Sequence, residues 1–101
     1  MSQLQPCQLQ GEANHWQLLG DLGFHSVPDL LRQAQGQLDF SQALHIDLGQ
    51  IRHADSAGLA LMLEWLEQSQ RAKGQLSFHA IPEALQNIAR LCNVAGFFGS
   101  N

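Results

Sequence analysis

Residues 53–56 read His-Ala-Asp-Ser and place an imidazole, a carboxylate and a hydroxyl close together in the sequence. A hydrolase uses these three groups as its base, its orienting acid and its nucleophile. A nucleophilic serine usually sits on a sharp turn such as Gly-x-Ser-x-Gly, and the chain has no such motif. We therefore expect no hydrolase, and no enzyme activity, from His53, Asp55 and Ser56.

The other residue types that carry chemistry show no useful spacing either. No zinc-like pattern joins the five histidines, which are His15, His25, His45, His53 and His79. His45 and His79 fall at polar positions of predicted strands, where we expect solvent to surround them. Cys7 and Cys92 form no Cys-x-x-Cys motif and are expected to be free thiols. Residues 20–23 are typical of a turn and not of a phosphate-binding loop, so we expect no metal, nucleotide or other cofactor.

Asp55 and Ser56 stand where a helix should begin. Apolar residues at helical spacing run from about Ser56 to Lys73, and Gly74 is a typical stop signal. A side-chain oxygen at such an N-cap accepts a hydrogen bond from a backbone N–H, and its loss costs about 0.5–2 kcal/mol. Three interpretations stay open: a cap alone, a cap beside which Ser56 contacts a partner, or a phosphorylation site at Ser56.

Alternation of apolar and polar residues predicts strands on both sides of this helix. The predicted elements are a hairpin (7–20), a helix capped by Ser26 that Gly36 could end (26–36), a strand (43–49), the helix from Ser56, a strand with Leu76, Phe78 and Ala80 inward (75–81), a helix opened by Pro82, and a tail whose Val94, Phe97 and Phe98 pack back. A parallel strand covered on both faces should be apolar throughout. The polar face of these strands therefore indicates helices mainly on one face of the sheet. The prediction is an α/β two-layer fold, with the order ββαβαβα and a mixed sheet of about four strands.

The helix after Ser56 carries apolar residues on two sides. At about 100° per residue, one stripe that we predict to face the core contains Leu59, Met62, Leu63 and Leu66. The opposite side contains Leu61, Trp65, Ser69 and Ala72. Because tryptophan is enriched at binding hot spots, this opposite side is predicted to form a docking surface together with the turn. The alternative is that a neighbouring helix or the C-terminal tail covers Trp65.

The composition fits a folded protein without affinity for nucleic acid. The 101 residues are 45% apolar and 14% charged, with a net charge of −4 and no cluster of Lys or Arg. No apolar run is long enough to span a bilayer, and the first ten residues do not resemble a signal peptide. We expect a single cytoplasmic domain over residues 1–101, with no direct membrane insertion.

Two motifs carry a resemblance to a known family. An apolar strand contains Asp47 and Leu48, and after a short loop the sequence Asp-Ser-Ala-Gly-Leu (55–59) opens a helix. This pattern resembles that of STAS domains, which are found in anti-sigma factor antagonists and in the cytoplasmic parts of sulfate transporters. The resemblance covers nearly the whole chain and implies the STAS-type fold.

Within that family the chain is most similar to the small stand-alone subunit of Mla (maintenance of lipid asymmetry) transporters. The segments GLALML (58–63) and LQNIARLCNV (85–94) carry this similarity. It implies a non-catalytic subunit that binds and supports the ATPase of a phospholipid-transporting ABC transporter and, through it, meets the membrane permease. Such a subunit lies on the cytoplasmic side of the inner membrane, where its partner holds it.

One departure from the family pattern keeps a second function open. The Mla subunit usually has threonine where this chain has Ser56, and serine at this place is common in anti-sigma factor antagonists. The leading alternative is therefore an antagonist that is switched by phosphorylation of Ser56. A third interpretation is a homodimeric STAS scaffold without a dedicated partner.

The resemblance also implies roles for the residues of the turn. Asp55 would fix the loop and cap the helix, Ser56 would hydrogen-bond to the partner, and Gly58 would permit close approach. The full predicted partner-binding set is Asp55, Ser56, Ala57, Gly58, Leu61, Trp65 and Ser69.

Overall fold

The order of strands and helices follows the periodicities of the sequence. In a computed structural model, which describes residues 6–98, the elements run ββαβαβα and end in a short 3₁₀ turn, so the predicted order is confirmed. The bounds are β1 Gln8–Glu12, β2 His15–Leu22, α1 Val27–Gln37, β3 Ala43–Ala54, α2 Ser56–Arg71, β4 Gln75–His79, α3 Glu83–Leu91 and the 3₁₀ turn Ala95–Phe98. None of the helices within residues 6–98 is long and apolar enough to cross a membrane.

The four strands form one mixed sheet, as predicted, and their order within it is β1-β2-β3-β4. Strand β1 runs antiparallel to β2, whereas β3 runs parallel to both β2 and β4. Because β2 and β3 are parallel, their carboxyl ends meet at the same edge of the sheet. Leu22 pairs with Ala54 at that edge. The loop that follows β2 therefore lies beside the turn that precedes α2.

The two faces of the sheet differ in polarity. On β3 the side chains of Leu44, Ile46 and Leu48 are buried, and they join buried residues of all three helices in one core. The alternate positions His45 and Asp47 border an open depression on the other face. This arrangement confirms that the helices cover mainly one face of the sheet.

Helix α2 is buried on both of its apolar sides. Leu59 and Met62 of the predicted core stripe are buried as expected, but the opposite side is buried too. Leu61, Trp65 and Ser69 were expected to face outward, but they are only 2%, 0% and 2% exposed. The prediction of an outward Trp65 is therefore wrong, and the alternative of cover by a neighbour is right. Helix α2 packs against both α1 and α3. The ring of Phe40, in the connection after α1, lies 6.4 Å from that of Trp65.

Three smaller expectations fail for local reasons, and one helix end is shifted by a single residue. Ala80 is exposed because β4 ends at His79 and the chain turns there with φ at +56°. Phe97 remains 64% exposed, although Val94 and Phe98 pack against the core. Helix α1 continues through Gly36 and ends at Gln37. The side chain of Ser26 makes no hydrogen bond that caps α1.

Candidate functional site

Asp55 joins the start of α2 to the loop after β2. Its Oδ1 atom accepts a hydrogen bond from the N–H of Ala57 at 2.8 Å and a longer one from that of Gly58 at 3.4 Å. Its Oδ2 atom accepts a hydrogen bond from the N–H of Phe24 at 3.1 Å. The predicted N-cap is thus confirmed. The same carboxylate also fixes a second segment of chain, which lies 31 residues earlier.

Two glycines allow these segments to approach each other. A Cβ atom at Gly23 would lie 2.6 Å from Oδ2 of Asp55, and one at Gly58 would lie 2.8 Å from the carbonyl oxygen of Leu22. Both distances are too short for a real side chain. A side chain at Gly58 would force the backbone of β2 to move, and one at Gly23 would push the carboxylate of Asp55 out of its hydrogen bonds. Gly58 is buried and packs against β2 of its own chain. The close approach predicted for it is therefore internal and is not made to a partner.

The loop at residues 23–26 is held from within. The hydroxyl of Ser26 donates to the carbonyl oxygen of Asp21 at 2.7 Å and accepts from the N–H of Gly23 at 3.1 Å. The N–H of Val27 donates to the carbonyl oxygen of Gly23 at 3.0 Å. Ser26 therefore stabilises this loop instead of capping α1. The loop presents the side chain of Phe24, which is 82% exposed.

Ser56 is exposed at the first position of α2, and within residues 6–98 its hydroxyl makes no hydrogen bond. Asp55 already caps the helix, so the fold leaves Ser56 available for contact. Ala57 is half-buried beside it, and Ala60 is exposed one turn further along α2. We call Phe24, Asp55, Ser56, Ala57 and Ala60 the loop–helix surface.

The structure places only part of the predicted partner-binding set on this surface. Asp55, Ser56 and Ala57 lie together, whereas Gly58, Leu61, Trp65 and Ser69 are buried. The sequence reasoning missed Phe24. Its signal was a large apolar residue directly after Gly23, in a predicted turn where polar residues are usual.

The loop–helix surface provides hydrogen-bonding groups and an apolar anchor. Within residues 6–98 no imidazole hydrogen-bonds to Ser56, and no group of three or more His, Cys, Asp or Glu side chains could hold a metal ion. A shallow depression of about 200 Å³ lies beside Asp55 and is bordered by His25 and His53. The surface thus offers a large apolar side chain and a hydroxyl that has no hydrogen-bond partner within residues 6–98.

Comparisons with known proteins identify the family. The family model described as "Mlab, STAS domain" matches residues 7–99. A search of curated proteins finds no match. A solved structure described as "Crystal Structure Analysis of Mglu" has a TM-score of 0.56 and 16% sequence identity. That similarity covers 75% of this chain and 19% of the other, so the chain spans about a fifth of that protein and shares its fold there. Because the family model covers nearly the whole chain, the chain belongs to the MlaB-type STAS domain family.

Proposed function

We propose that this STAS domain is a non-catalytic subunit that binds the cytoplasmic ATPase of an Mla-type ABC transporter. It would support the assembly and activity of an ATPase that moves phospholipids and maintains lipid asymmetry of the outer membrane. Through the ATPase it would be associated with the permease and with the cytoplasmic side of the inner membrane. The match to the MlaB-type family and the generally non-catalytic nature of STAS domains support this proposal.

The observation that carries the proposal is the division of roles between Asp55 and Ser56. The carboxylate of Asp55 is engaged with Ala57 and Phe24 of its own chain. The hydroxyl of Ser56 is exposed and has no hydrogen-bond partner among the described residues. A partner that docks here finds a rigid loop, an unused hydroxyl and the exposed ring of Phe24. Such a preorganised surface loses little conformational freedom on binding.

The loop–helix surface predicts how binding should respond to mutation. Phe24→Ala should weaken binding to the purified ATPase–permease complex at least about tenfold, because aromatic hot spots commonly contribute 2 kcal/mol or more. Ser56→Ala should weaken it about two- to tenfold, as expected for one lost hydrogen bond. Surface plasmon resonance with the immobilised complex of the same organism measures both changes, and thermal melts should show that neither variant loses its fold.

Phe97→Ala is the matched control, because Phe97 is also an exposed phenylalanine but lies in the 3₁₀ turn outside the loop–helix surface. It should leave the affinity unchanged within about twofold. An equal loss of affinity in Phe97→Ala, or none in Phe24→Ala, would show that the contact lies elsewhere. Absence of any binding between the unaltered chain and the complex would contradict the transporter function itself.

The exposure of Ser56 also favours the second candidate, an anti-sigma factor antagonist. A phosphate on Ser56 would add about −1.5 to −2 charges beside the carboxylate of Asp55. Asp55 already occupies the N–H groups of Ala57 and Gly58. The new charge would therefore project toward a partner instead of being neutralised by the helix terminus.

An affinity purification from native cells separates the two candidates. Recovery of an ABC ATPase and permease, with Ser56 unmodified by mass spectrometry, supports the transporter subunit. Recovery of a kinase-like anti-sigma factor, with loss of binding in Ser56→Asp and its retention in Ser56→Ala, supports the antagonist.

A further inference from the structure

Three histidines stack on the open face of the sheet. His15, His45 and His79 come from β2, β3 and β4, which are successive parallel strands. The ring centroids of His15 and His45 are 5.1 Å apart, with 12° between the ring planes. Those of His45 and His79 are also 5.1 Å apart, with 28° between the planes. The expectation that solvent alone surrounds His45 and His79 is therefore wrong.

The nitrogens of the second pair converge. Nδ1 of His45 and Nε2 of His79 lie 2.9 Å apart, which is a hydrogen-bond distance. One ring donates its N–H to the lone pair of the other, so one nitrogen lone pair already points at the space between the two rings. Two imidazole nitrogens that converge on an open surface are the donor set that first-row transition metals prefer.

The present distance between the two nitrogens reflects their hydrogen bond. The nitrogens are 2.9 Å apart and the ring centroids 5.1 Å apart, so the two rings meet nearly head-on. Each ring must therefore turn before both lone pairs can point at one ion about 2.0–2.1 Å away. Among divalent first-row ions the affinity for imidazole ligands rises toward Ni²⁺ and Cu²⁺. We propose that His45 and His79 form a surface site for Ni²⁺ or Cu²⁺, which replaces the hydrogen bond between the rings.

Binding requires a change of tautomer and no net release of protons from two neutral rings. Both nitrogens must present lone pairs to the ion, so Nε2 of His45 and Nδ1 of His79 must carry the hydrogens. The ring that now donates the shared hydrogen loses it from the inner nitrogen and gains one from solvent on the outer nitrogen. Two metal–nitrogen bonds then replace one N–H···N hydrogen bond.

The surroundings leave room for water to complete the coordination. The pair borders an open depression of about 500 Å³, together with Gln17 and Asp47. Asp47 is the sheet neighbour of His79, and its Oδ1 accepts a 2.6 Å hydrogen bond from the N–H of Gly49. Within residues 6–98 no third ligating side chain completes the site. The protein therefore supplies two ligands, and the carboxylate of Asp47 adds a favourable negative charge nearby.

The site is independent of the proposed docking surface. His45 is near the start of β3 and Ala54 is at its end, a separation of about 30 Å in an extended strand. A failure of metal binding would leave the transporter proposal untouched, and the reverse holds too. The two proposals can therefore be tested on the same purified protein.

The test is titration of the untagged protein with Ni²⁺ as the probe, followed by isothermal calorimetry. The unaltered chain should bind one ion, and His45→Gln and His79→Gln should each weaken binding at least about tenfold, because each removes one of the two ligands. The amide NMR signals of Asp47 and Ser77, which neighbour the pair in the sheet, should broaden first. Equal affinity in His45→Gln and the unaltered chain would overturn the proposal.

Two further variants define the ligand set. His53→Gln is the matched control, because His53 lies on the same strand and is exposed but is not part of the stack. It should bind Ni²⁺ as the unaltered chain does, and a tenfold loss in it would place the ion elsewhere. His15→Gln should change the affinity less than about threefold, since His15 only stacks on His45. A loss as large as that of His45→Gln would overturn the two-ligand assignment.

Discussion

Asp55 uses both carboxylate oxygens inside the molecule, whereas its neighbour Ser56 uses its hydroxyl for no contact among the described residues. One oxygen of Asp55 caps α2 through the N–H of Ala57, and the other holds the N–H of Phe24. The capping function needs an acceptor at position 55 only. Ser56 is therefore available for the partner contact that we propose.

Asp55→Ala should lower the free energy of unfolding by about 1–3 kcal/mol. The change removes the N-cap, which contributes about 0.5–2 kcal/mol, and also leaves the N–H of Phe24 without its acceptor. Equilibrium unfolding in urea measures the difference. The loop at residues 23–26 should also become more mobile, which amide hydrogen exchange at Phe24 would report.

Asp55→Asn separates the two functions of this side chain. Asparagine caps helices about as well as aspartate, but its amide offers one acceptor oxygen instead of two. The variant should therefore lose less stability than Asp55→Ala while Phe24 still exchanges faster. If both variants were as stable as the unaltered chain, the two hydrogen bonds would not contribute as we infer.

Single-residue roles were predictable where they depend on neighbours in the sequence. The hydrogen bonds by which Asp55 caps α2 reach residues only two and three positions later in the sequence. A polar pair directly before an apolar helical pattern therefore predicts the cap. The bond from Phe24 to Asp55 spans 31 residues and depends on the pairing of β2 with β3. No local pattern encodes that contact. The sequence therefore marks Phe24 as an apolar residue in a turn but does not show that it lies beside Asp55.

At the scale of elements, α2 shows why the direction of a helix is harder to predict than its existence. Its bounds were close to the prediction, because Asp55 and Gly74 mark its ends clearly. The predicted core side was right for Leu59 and Met62, but the prediction that the opposite apolar side faces outward was wrong. The helix packs against both α1 and α3, so more than one stripe is covered. The periodicity alone could not tell which apolar stripe faces the sheet.

Trp65→Ala should destabilise the domain by about 3–5 kcal/mol. The side chain is fully buried and packs near Phe40, so its removal loses apolar burial and leaves a large cavity. Urea unfolding followed by circular dichroism measures the change, since the substitution itself alters the fluorescence. A large loss of stability would agree with a core position and not with the outward position predicted from the sequence.

Leu91→Ala serves as the control for that experiment. Leu91 is also a large apolar residue of a helix, the last one of α3, but it is 88% exposed. Exposed substitutions of this kind usually change stability by no more than about 0.5 kcal/mol. A comparable loss in both variants would mean that burial does not explain the effect of Trp65→Ala.

For the strands, unlike α2, the sequence predicted which side chains face the core. Alternation predicted correctly that β3 has one apolar and one polar face. Successive side chains of a strand point to opposite faces, so the sequence of a single strand shows the polarity of each face. The stack of His15, His45 and His79 depends on the register between strands, which alternation does not contain. The polar face was therefore foreseen, and the contacts on it were not.

At the scale of the whole molecule, the order of elements and the side covered by helices were both predictable. A chain in which strands alternate with helices can adopt only a few sheet topologies. Because each strand has only one apolar face, helices can cover only one face of the sheet. The molecule therefore has a helical side, an open sheet side and an edge that carries the loop–helix surface. Cys7 and Cys92 provide a probe of how this whole structure opens, because one is buried and the other exposed.

The two thiols should differ strongly in reactivity. Burial, aided by the negative charge of Asp21, raises the pKa of the Cys7 thiol from 9.0 to about 11. At pH 8 a disulfide reagent such as DTNB should label Cys92 rapidly and Cys7 only as fast as the domain opens. In urea both should react at once. Rapid labelling of both thiols in the folded protein would contradict the burial of Cys7.

The same group predicts a dependence of stability on pH. Because the folded state disfavours the Cys7 thiolate, its contribution to stability is full below pH 9.0 and is lost as the pH rises through about 11. Cys7→Ala should remove this loss, so the stabilities of the two proteins should converge as the pH increases toward 11. A constant difference over that range would show that Cys7 does not titrate as we infer.

The separation of tasks between Asp55 and Ser56 has a consequence for divergence among such domains. Position 56 carries none of the cap and position 24 none of the core, so both can change without a cost in folding. Serine at position 56 could be replaced by threonine, and phenylalanine at position 24 by another large side chain. Each single substitution would alter the partner-binding surface while the domain still folds. A change at position 55, by contrast, removes the hydrogen bonds to Ala57 and Phe24, so it carries a cost in folding that changes at positions 24 and 56 do not.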